Sequence, residues 1–390
     1  MTASPRLAFA GGGTGGHLYP GLAVAAAVRA ASPGVDITFF TTDRPLDRDL
    51  LAGKPYVQVP QPVAPFAVNP LRWPRFLLRW RRSLCLATTR LQELRPEAVL
   101  GLGGYAAGPV VVAARRLGIR VAILNPDAIP GRANRHLAGR ADLVVLQWDV
   151  SRRHFADGVK CVTLGCPIRA EFSQQHDPAL ARRRFQLAPD RPVVVVTGAS
   201  QGARTVNRAM GRVWPEFHGE HPEWQLLHLS GAADEAEVRR TYAARGAPAR
   251  VVAFTHEMWD ALAVADVVVS RAGGSTLAEL TALGKPSILL PYPYHRDQHQ
   301  MANARVLVDA GAAFVQEDRL EPELNAPALR AALDQLAQAD VRMRMGRAAA
   351  ALGRPGAAEQ VAAWLLTGEL PGTRVPARDF VSSSAARRMG

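Results

Sequence analysis

Lysine is almost missing from this 390-residue chain: Lys54, Lys160 and Lys285 are the only three among 47 basic residues, and the rest are arginine. The formal charge of +13 therefore rests on guanidinium groups, which suit anionic lipid or nucleic acid and also follow from an arginine-rich codon bias. Net charge alone chooses none of these. Cysteine is as scarce. Cys85, Cys161 and Cys166 form no CxxC pair, which argues against a disulfide framework or a cysteine metal centre and points to a reducing compartment. No window approaches the ~18 uninterrupted apolar residues of a membrane span, and no charged-then-apolar leader precedes the run at Leu7. The expectation is a cytoplasmic protein. What remains, 48% hydrophobic and 21% charged, is a globular composition, in a chain too long for one ordinary core.

The chain is organised around Arg6–Ala25, RLAFAGGGTGGHLYPGLAVA. Leu7 to Ala10 reads as a buried parallel strand and Gly21 to Arg29 as a helix. Between them Gly11 to Gly16 holds five glycines and Thr14. Glycines let backbone N–H groups approach an anion, and a following helix adds unpaired donors and its positive dipole end. The spacing also satisfies GxGxxG, a weak signal shared with dinucleotide folds. His17 behind the glycines, with Tyr19 and Pro20, makes it more specific.

Strands at Val35–Thr41, Ala98–Gly101, Arg120–Leu124 and Ala141–Leu146 alternate with amphipathic segments such as Pro109–Leu117. That is the rhythm of an α/β, doubly wound parallel sheet. A second sheet is expected from Arg191–Thr197, Trp224–Leu229, Arg250–Phe254, Asp266–Ser270 and Ser287–Leu290. Val162 to Asp190 reads as the hinge region. The resulting domains are 1–165 and 166–350, then a helix near Ala357–Leu366 in a segment 351–370 packing back on the first domain. A disordered tail occupies 371–390.

Three further stretches carry chemistry. Val193–Asn207 repeats strand, small-residue loop and helix, so Ser200 and the backbone at Gln201 and Gly202 can face a diphosphate. In Ala265–Pro286, Gly273 and Gly274 precede a helix starting at Ser275 or Thr276, and Glu279 on its first turns can accept both hydroxyls of a ribose. Asn69–Arg90 interleaves Leu71, Trp73, Phe76, Leu77 and Trp80 with arginines. Trp73, Phe76 and Trp80 share a helical face that either sits at lipid headgroups or is buried in its own domain. Asp47-Arg48-Asp49 spells DxD, a metal-binding signature, and reads here as a solvated helix face.

GGGTGGHLYPGLAVA, together with RAGGSTLAE followed by GKP, resembles the MurG family, the UDP-N-acetylglucosamine transferases that complete lipid II. The resemblance implies a GT-B type fold, two Rossmann-like domains facing a cleft. It assigns donor binding to Thr14, Gly15, Gly16, Asp127, Arg169, Ser200, Gln201, Phe254, Thr255, Gly274, Ser275, Thr276, Leu277, Glu279, His299 and Gln300. Uracil would lie at Phe254 and Thr255, and the transferred sugar at His299, Gln300 and Asn303. The acceptor diphosphate would meet Gly12, Gly13, Thr14, Gly15, His17 and Tyr105, with His17 as the catalytic base or as a phosphate ligand. The resemblance implies a polyprenyl-diphosphate acceptor, an anionic membrane surface at Leu71, Trp73, Phe76, Leu77 and Trp80, and a peripheral location on the inner membrane's cytoplasmic face. It implies no cofactor, no metal and no nucleic acid.

Two positions depart from the family pattern. His299 stands for the first of two glutamines and keeps a donor and an acceptor. In LNPDAIPGRAN (Leu124–Asn134) Asp127 stands where asparagine is expected; a carboxylate repels phosphate and cannot donate as an amide does. This departure keeps open a sister enzyme acting on another lipid such as diacylglycerol and a non-catalytic membrane scaffold, while Gly11 to Gly16 with Asp43 on the ribose keeps open an NAD-dependent oxidoreductase.

Overall fold

A computed structural model of the chain describes residues 4–65, 69–174, 177–198, 202–294 and 297–370. Ser200, Gln201 and the expected tail from Pro371 lie outside the described residues. The first sheet comprises β1 (Arg6–Gly11), β2 (Asp36–Thr41), β3 (Val57–Pro60), β4 (Ala98–Gly103), β5 (Arg120–Asn125), β6 (Leu143–Leu146) and β7 (Cys161–Thr163). The second comprises β8 (Val193–Thr197), β9 (Gln225–Leu229), β10 (Arg250–Val252), β11 (Val267–Ser270), β12 (Ser287–Leu289) and β13 (Ala313–Val315). Their orders are 3-2-1-4-5-6-7 and 10-9-8-11-12-13, with every pairing parallel.

The apolar runs behave as parallel strands must: Val193–Val196 and Val267–Val269 are fully buried because helices cover both faces. In the first domain these are α1 (Gly15–Ala31), α2 (Pro45–Leu51), α3 (Trp73–Leu94), α4 (Ala107–Arg116) and α5 (Arg132–Leu137). In the second they are α6 (Pro178–Arg184), α7 (Arg204–Glu220), α8 (Glu235–Ala244), α9 (Met258–Ala263), α10 (Gly274–Ala282), α11 (His299–Asp309), α12 (Pro322–Ala337) and α13 (Ala339–Leu352). The last helix, α14 (Ala357–Thr367), buries Val361, Ala362, Trp364 and Leu365 against Leu7, Leu18 and Val24 of the first domain. Arg120 of β5 donates to the Leu365 carbonyl there. The chain thus crosses between the sheets twice, and Gly165 of one crossing abuts Arg354 of the other.

Several boundaries differ from the sequence reading. The set of strands does not close at Leu146, because Cys161 pairs with Val144 and makes β7, so the crossing starts only after Thr163. β3, β7 and β13 have four residues or fewer, too short for a periodic signal. The strand expected to reach Phe254 ends at Val252 and leaves Ala253–His256 as a loop. Most consequential for function, the helix after the glycines begins at Gly15 and not at Gly21. The Thr14 carbonyl accepts the first helical bonds, from His17 N–H at 3.2 Å and Leu18 N–H at 3.3 Å.

Candidate functional site

In each sheet the strand order reverses beside the first strand, between β1 and β4 and between β8 and β11. Loops leaving neighbouring strands there diverge to opposite faces and open a crevice. The two crevices face one another, so the residues that follow β1, β4, β5, β8 and β11 share one cleft.

The glycine loop after β1 is not an open anion cradle. Asp47 of α2, fully buried, accepts the Gly13 N–H through both carboxylate oxygens at 2.8 and 2.9 Å. The same carboxylate accepts from the Thr42 N–H and hydroxyl. Gly12 and Gly13, expected to hold the acceptor diphosphate, are buried against this side chain, and only Thr14, Gly15 and Gly16 remain accessible. The reading of Asp47 as a solvated face is corrected with them, since a buried carboxylate requires the donors that a glycine loop supplies. The DxD pair does not converge on a metal, because Asp49 is exposed while Asp47 is engaged by the loop. Asp43, the proposed ribose ligand of the oxidoreductase alternative, pairs with Arg48.

His17, on the first turn of α1, stands half-buried at the cleft wall. Its Nδ1 lies 3.0 Å from the Thr14 hydroxyl. Gly103 and Gly104, both at positive φ after β4, make room for the ring, and a Cβ on either would come within 3.1–3.2 Å of it. Burial holds the imidazole below its ordinary value of 6.5, while the Asp127 carboxylate, a hydrogen bond to the Gly12 carbonyl and the Asp47 carboxylate pull upward. The ring is accordingly neutral at pH 7 and able to take a proton. Tyr105 brings its hydroxyl beside Gly13.

Across the cleft, Arg169 comes from the first crossing between domains. Its guanidinium carbon lies 4.9 Å from the ring centres of Tyr19 on α1 and Trp259 on α9. One Nη donates to the His256 carbonyl at 3.3 Å, and the buried Nε has no acceptor among the described residues. Gly15, Gly16, Tyr19, Arg169, Phe254, Thr255, Ser275, Thr276 and Glu279 line one pocket. Glu279 of α10 is pushed up to about 7 by burial, a shift that Arg169 opposes. Thr255 turns its hydroxyl to the Glu257 backbone and carboxylate, leaving its own backbone for a ligand. Leu277 does not reach the pocket: its side chain is fully buried in the second domain's core. Tyr19 and Trp259 were missed as site residues because the aromatic box around Arg169 joins segments with no local pattern.

Beside this pocket, with Gly16 and Ser275 lining both, the two domains enclose a second cavity of about 440 Å³, within the usual small-molecule range. Thr14, His17, Asp127, Gly274, His299 and Gln300 line it. Gly274 is required here, since a Cβ would lie 2.5 Å from the Pro126 carbonyl oxygen. His299 Nδ1 lies 2.7 Å from Asp297, and Gln300 accepts from the Tyr292 N–H at 2.8 Å. Asp127, expected to repel phosphate and unsettle the acceptor side, instead accepts from Asn303 of α11 at 2.8 Å. Asn303 in turn accepts from the Ala128 N–H at 2.7 Å. The carboxylate thus has a partner across the two domains, in a bond that an asparagine oxygen could accept as well. Asn134, also missed, donates to the Leu124 carbonyl and leaves a buried Oδ1 near Gly103 that has no partner among the described residues.

On α3 the aromatic face divides. Trp80 turns onto Gly108 of α4 and Phe76 is half-buried beside it, so neither belongs to the outward stripe. Leu71, Trp73, Leu77 and the unanticipated Leu78 do, at 88%, 46%, 54% and 50% exposure. No helix among the described residues is long and apolar enough to cross a membrane.

Residues 7–146 match the glycosyltransferase family 28 N-terminal domain and residues 193–361 the corresponding C-terminal domain. The chain is 39% identical over 366 residues to the UDP-N-acetylglucosamine--N-acetylmuramyl-(pentapeptide) pyrophosphoryl-undecaprenol N-acetylglucosamine transferase of Anaeromyxobacter sp. (strain Fw109-5), covering 92% of each chain. It is 36% identical to the enzyme of the same name from Desulforudis audaxviator (strain MP104C), covering 91% of this chain and 96% of that one. In structure it is similar to the MurG of Acinetobacter baumannii, with a TM-score of 0.72 at 24% identity over 93% of this chain and 99% of that one.

Proposed function

The chain belongs to the MurG family of glycosyltransferase family 28, and from that premise we infer how its cleft works. It transfers N-acetylglucosamine from UDP to undecaprenyl-diphospho-N-acetylmuramyl-pentapeptide, forming lipid II for peptidoglycan. The observation that carries our assignment of roles is that the Arg169–Glu279 pocket adjoins the cavity holding His17, with Gly16 and Ser275 lining both.

In this reading the donor lies on the second domain. Phe254 and the Thr255 backbone meet the uracil, and Glu279 accepts from the ribose hydroxyls. The diphosphate rests on the N-terminus of α10 at Gly274–Thr276 and beside Arg169, whose free Nε is a donor for it. The sugar extends toward His299 and Gln300. The acceptor's 4-hydroxyl enters from the first domain beside His17. His17 removes the hydroxyl proton as the oxygen attacks C1 from the face opposite the diphosphate. The C1–O bond to the diphosphate breaks, its electron pair leaves with UDP, and the configuration at C1 inverts. The leaving charge develops next to Arg169 and the helix dipole, where it is most stabilised. Turnover of purified lipid-linked muramyl pentapeptide with UDP-N-acetylglucosamine tests the assignment. Product of retained configuration at C1, or a preference for diacylglycerol, overturns it.

A peripheral membrane role at the cytoplasmic leaflet is supported by the Leu71, Trp73, Leu77 and Leu78 stripe flanked by exposed Arg72, Arg75, Arg81 and Arg82. Replacing Trp73, Leu77 and Leu78 by serine is expected to lower co-sedimentation with anionic vesicles roughly tenfold or more. Salt should weaken wild-type binding. Undiminished binding by the variant would remove the stripe from the interface.

A further inference from the structure

Asp127 occupies a place where neutral asparagine would serve the hydrogen bonding equally well. Asn303, fully buried, commits its whole amide between the two domains. Its Oδ1 takes the Ala128 N–H, and its Nδ2 donates to Asp127 Oδ1 at 2.8 Å and to the Ala272 carbonyl at 3.1 Å. An amide oxygen at position 127 could accept the same bond. The joint between domains does not need the negative charge.

That charge faces the cavity that holds His17. The other charged or titratable groups around the ring are differently engaged. Asp47 of α2 is occupied by Gly13 and Thr42. His299 of α11 carries Asp297 at its Nδ1. Arg132 of α5 lines the same cavity, Arg44 donates to the Gly13 carbonyl, and the Tyr105 hydroxyl sits beside Gly13. Among these, Asp127 is the carboxylate whose field most strongly favours a charged ring.

We propose that Asp127 is a positioning residue that acts through its charge, so that the carboxylate joining the two domains also stabilises the imidazolium that His17 becomes on taking the acceptor proton. Its position in the cleft is held by Asn303, so the contact between the domains and the basicity of His17 share one side chain. This inference rests on the reading of His17 as the base. It goes beyond that reading by naming what sets its strength.

Asp127→Asn separates the charge from the joint, since it keeps the acceptor for Asn303 and removes the carboxylate's field. With both substrates saturating, kcat on its plateau is expected to fall about tenfold, and its acidic limb, followed from pH 5 to 8, to move about one unit lower, so that the loss shrinks toward acid pH. UDP-N-acetylglucosamine affinity by calorimetry should stay within about twofold. An NMR titration of the His17 ring should give the same displacement without turnover. Asp127→Ala, which loses the joint as well, should fall further. An unshifted limb in Asp127→Asn, alongside a limb abolished in His17→Ala, would overturn the role of Asp127 and leave the base in place. A limb that persists in His17→Ala would overturn the base itself and this inference with it.

Discussion

His17→Ala is expected to lower kcat by about 10²–10⁴-fold with donor affinity unchanged. The separation follows from the architecture: His17 belongs to α1 of the first domain, whereas Glu279, Thr255 and the N-terminus of α10 belong to the second. Burial holds the His17 imidazole below 6.5, so the neutral, proton-accepting form persists to mildly acidic pH. The acidic limb of kcat at saturating donor should therefore lie below pH 6.5 in the wild type and vanish in the variant. A variant with normal kcat and a raised KM for the lipid would make His17 a ligand of the acceptor diphosphate. The engagement of the buried Gly13 N–H makes that outcome less compatible with a phosphate seat on the glycines themselves, because Asp47 holds that donor.

Glu279→Ala is expected to weaken UDP binding by about 2–4 kcal/mol, roughly 30- to 1,000-fold, through loss of charge-assisted bonds to the ribose. The pH dependence gives a sharper test. Burial raises the carboxyl from 4.5 to about 7, and bound hydroxyls favour the ionised form. Affinity for UDP-N-acetylglucosamine should thus climb as pH rises through about 7 and level off above it. Both phosphates of that ligand are esterified and do not titrate there. Glu279→Gln should flatten the curve. The same shift has the opposite consequence for the empty protein. Since the folded value lies above the unfolded one, the group's contribution to stability is complete below pH 4.5 and is lost as pH rises through about 7. The ligand-free Gln variant should consequently melt no lower than wild type at pH 8. A wild-type affinity in folded Glu279→Ala would place the ribose elsewhere.

The parts of the site that could be read from sequence are those in which chemistry and local structure coincide. His17 follows a glycine loop, and Glu279 rides the helix after Gly273 and Gly274, so a strand–loop–helix pattern brings each to the mouth of its own sheet. The fold was readable for the same reason, since buried parallel strands announce themselves as runs such as Val193–Val196. What stayed hidden were pairings across distance. Asp47 meets Gly13 from 34 residues away, and Asn303 meets Asp127 from 176 residues away. Trp259 and Tyr19 enclose Arg169 from different domains. The amphipathic pattern of α3 marked an apolar face correctly but could not say that Gly108 of a neighbouring helix would leave space for Trp80.

The two halves of this molecule share one topology, which would ordinarily let a nucleotide choose either. The Asp47 carboxylate bears on that choice before any substrate arrives. By sitting on the Gly13 N–H as a tethered acceptor, it occupies a backbone donor that a diphosphate would otherwise use, which accords with the proposal that the nucleotide binds the other half.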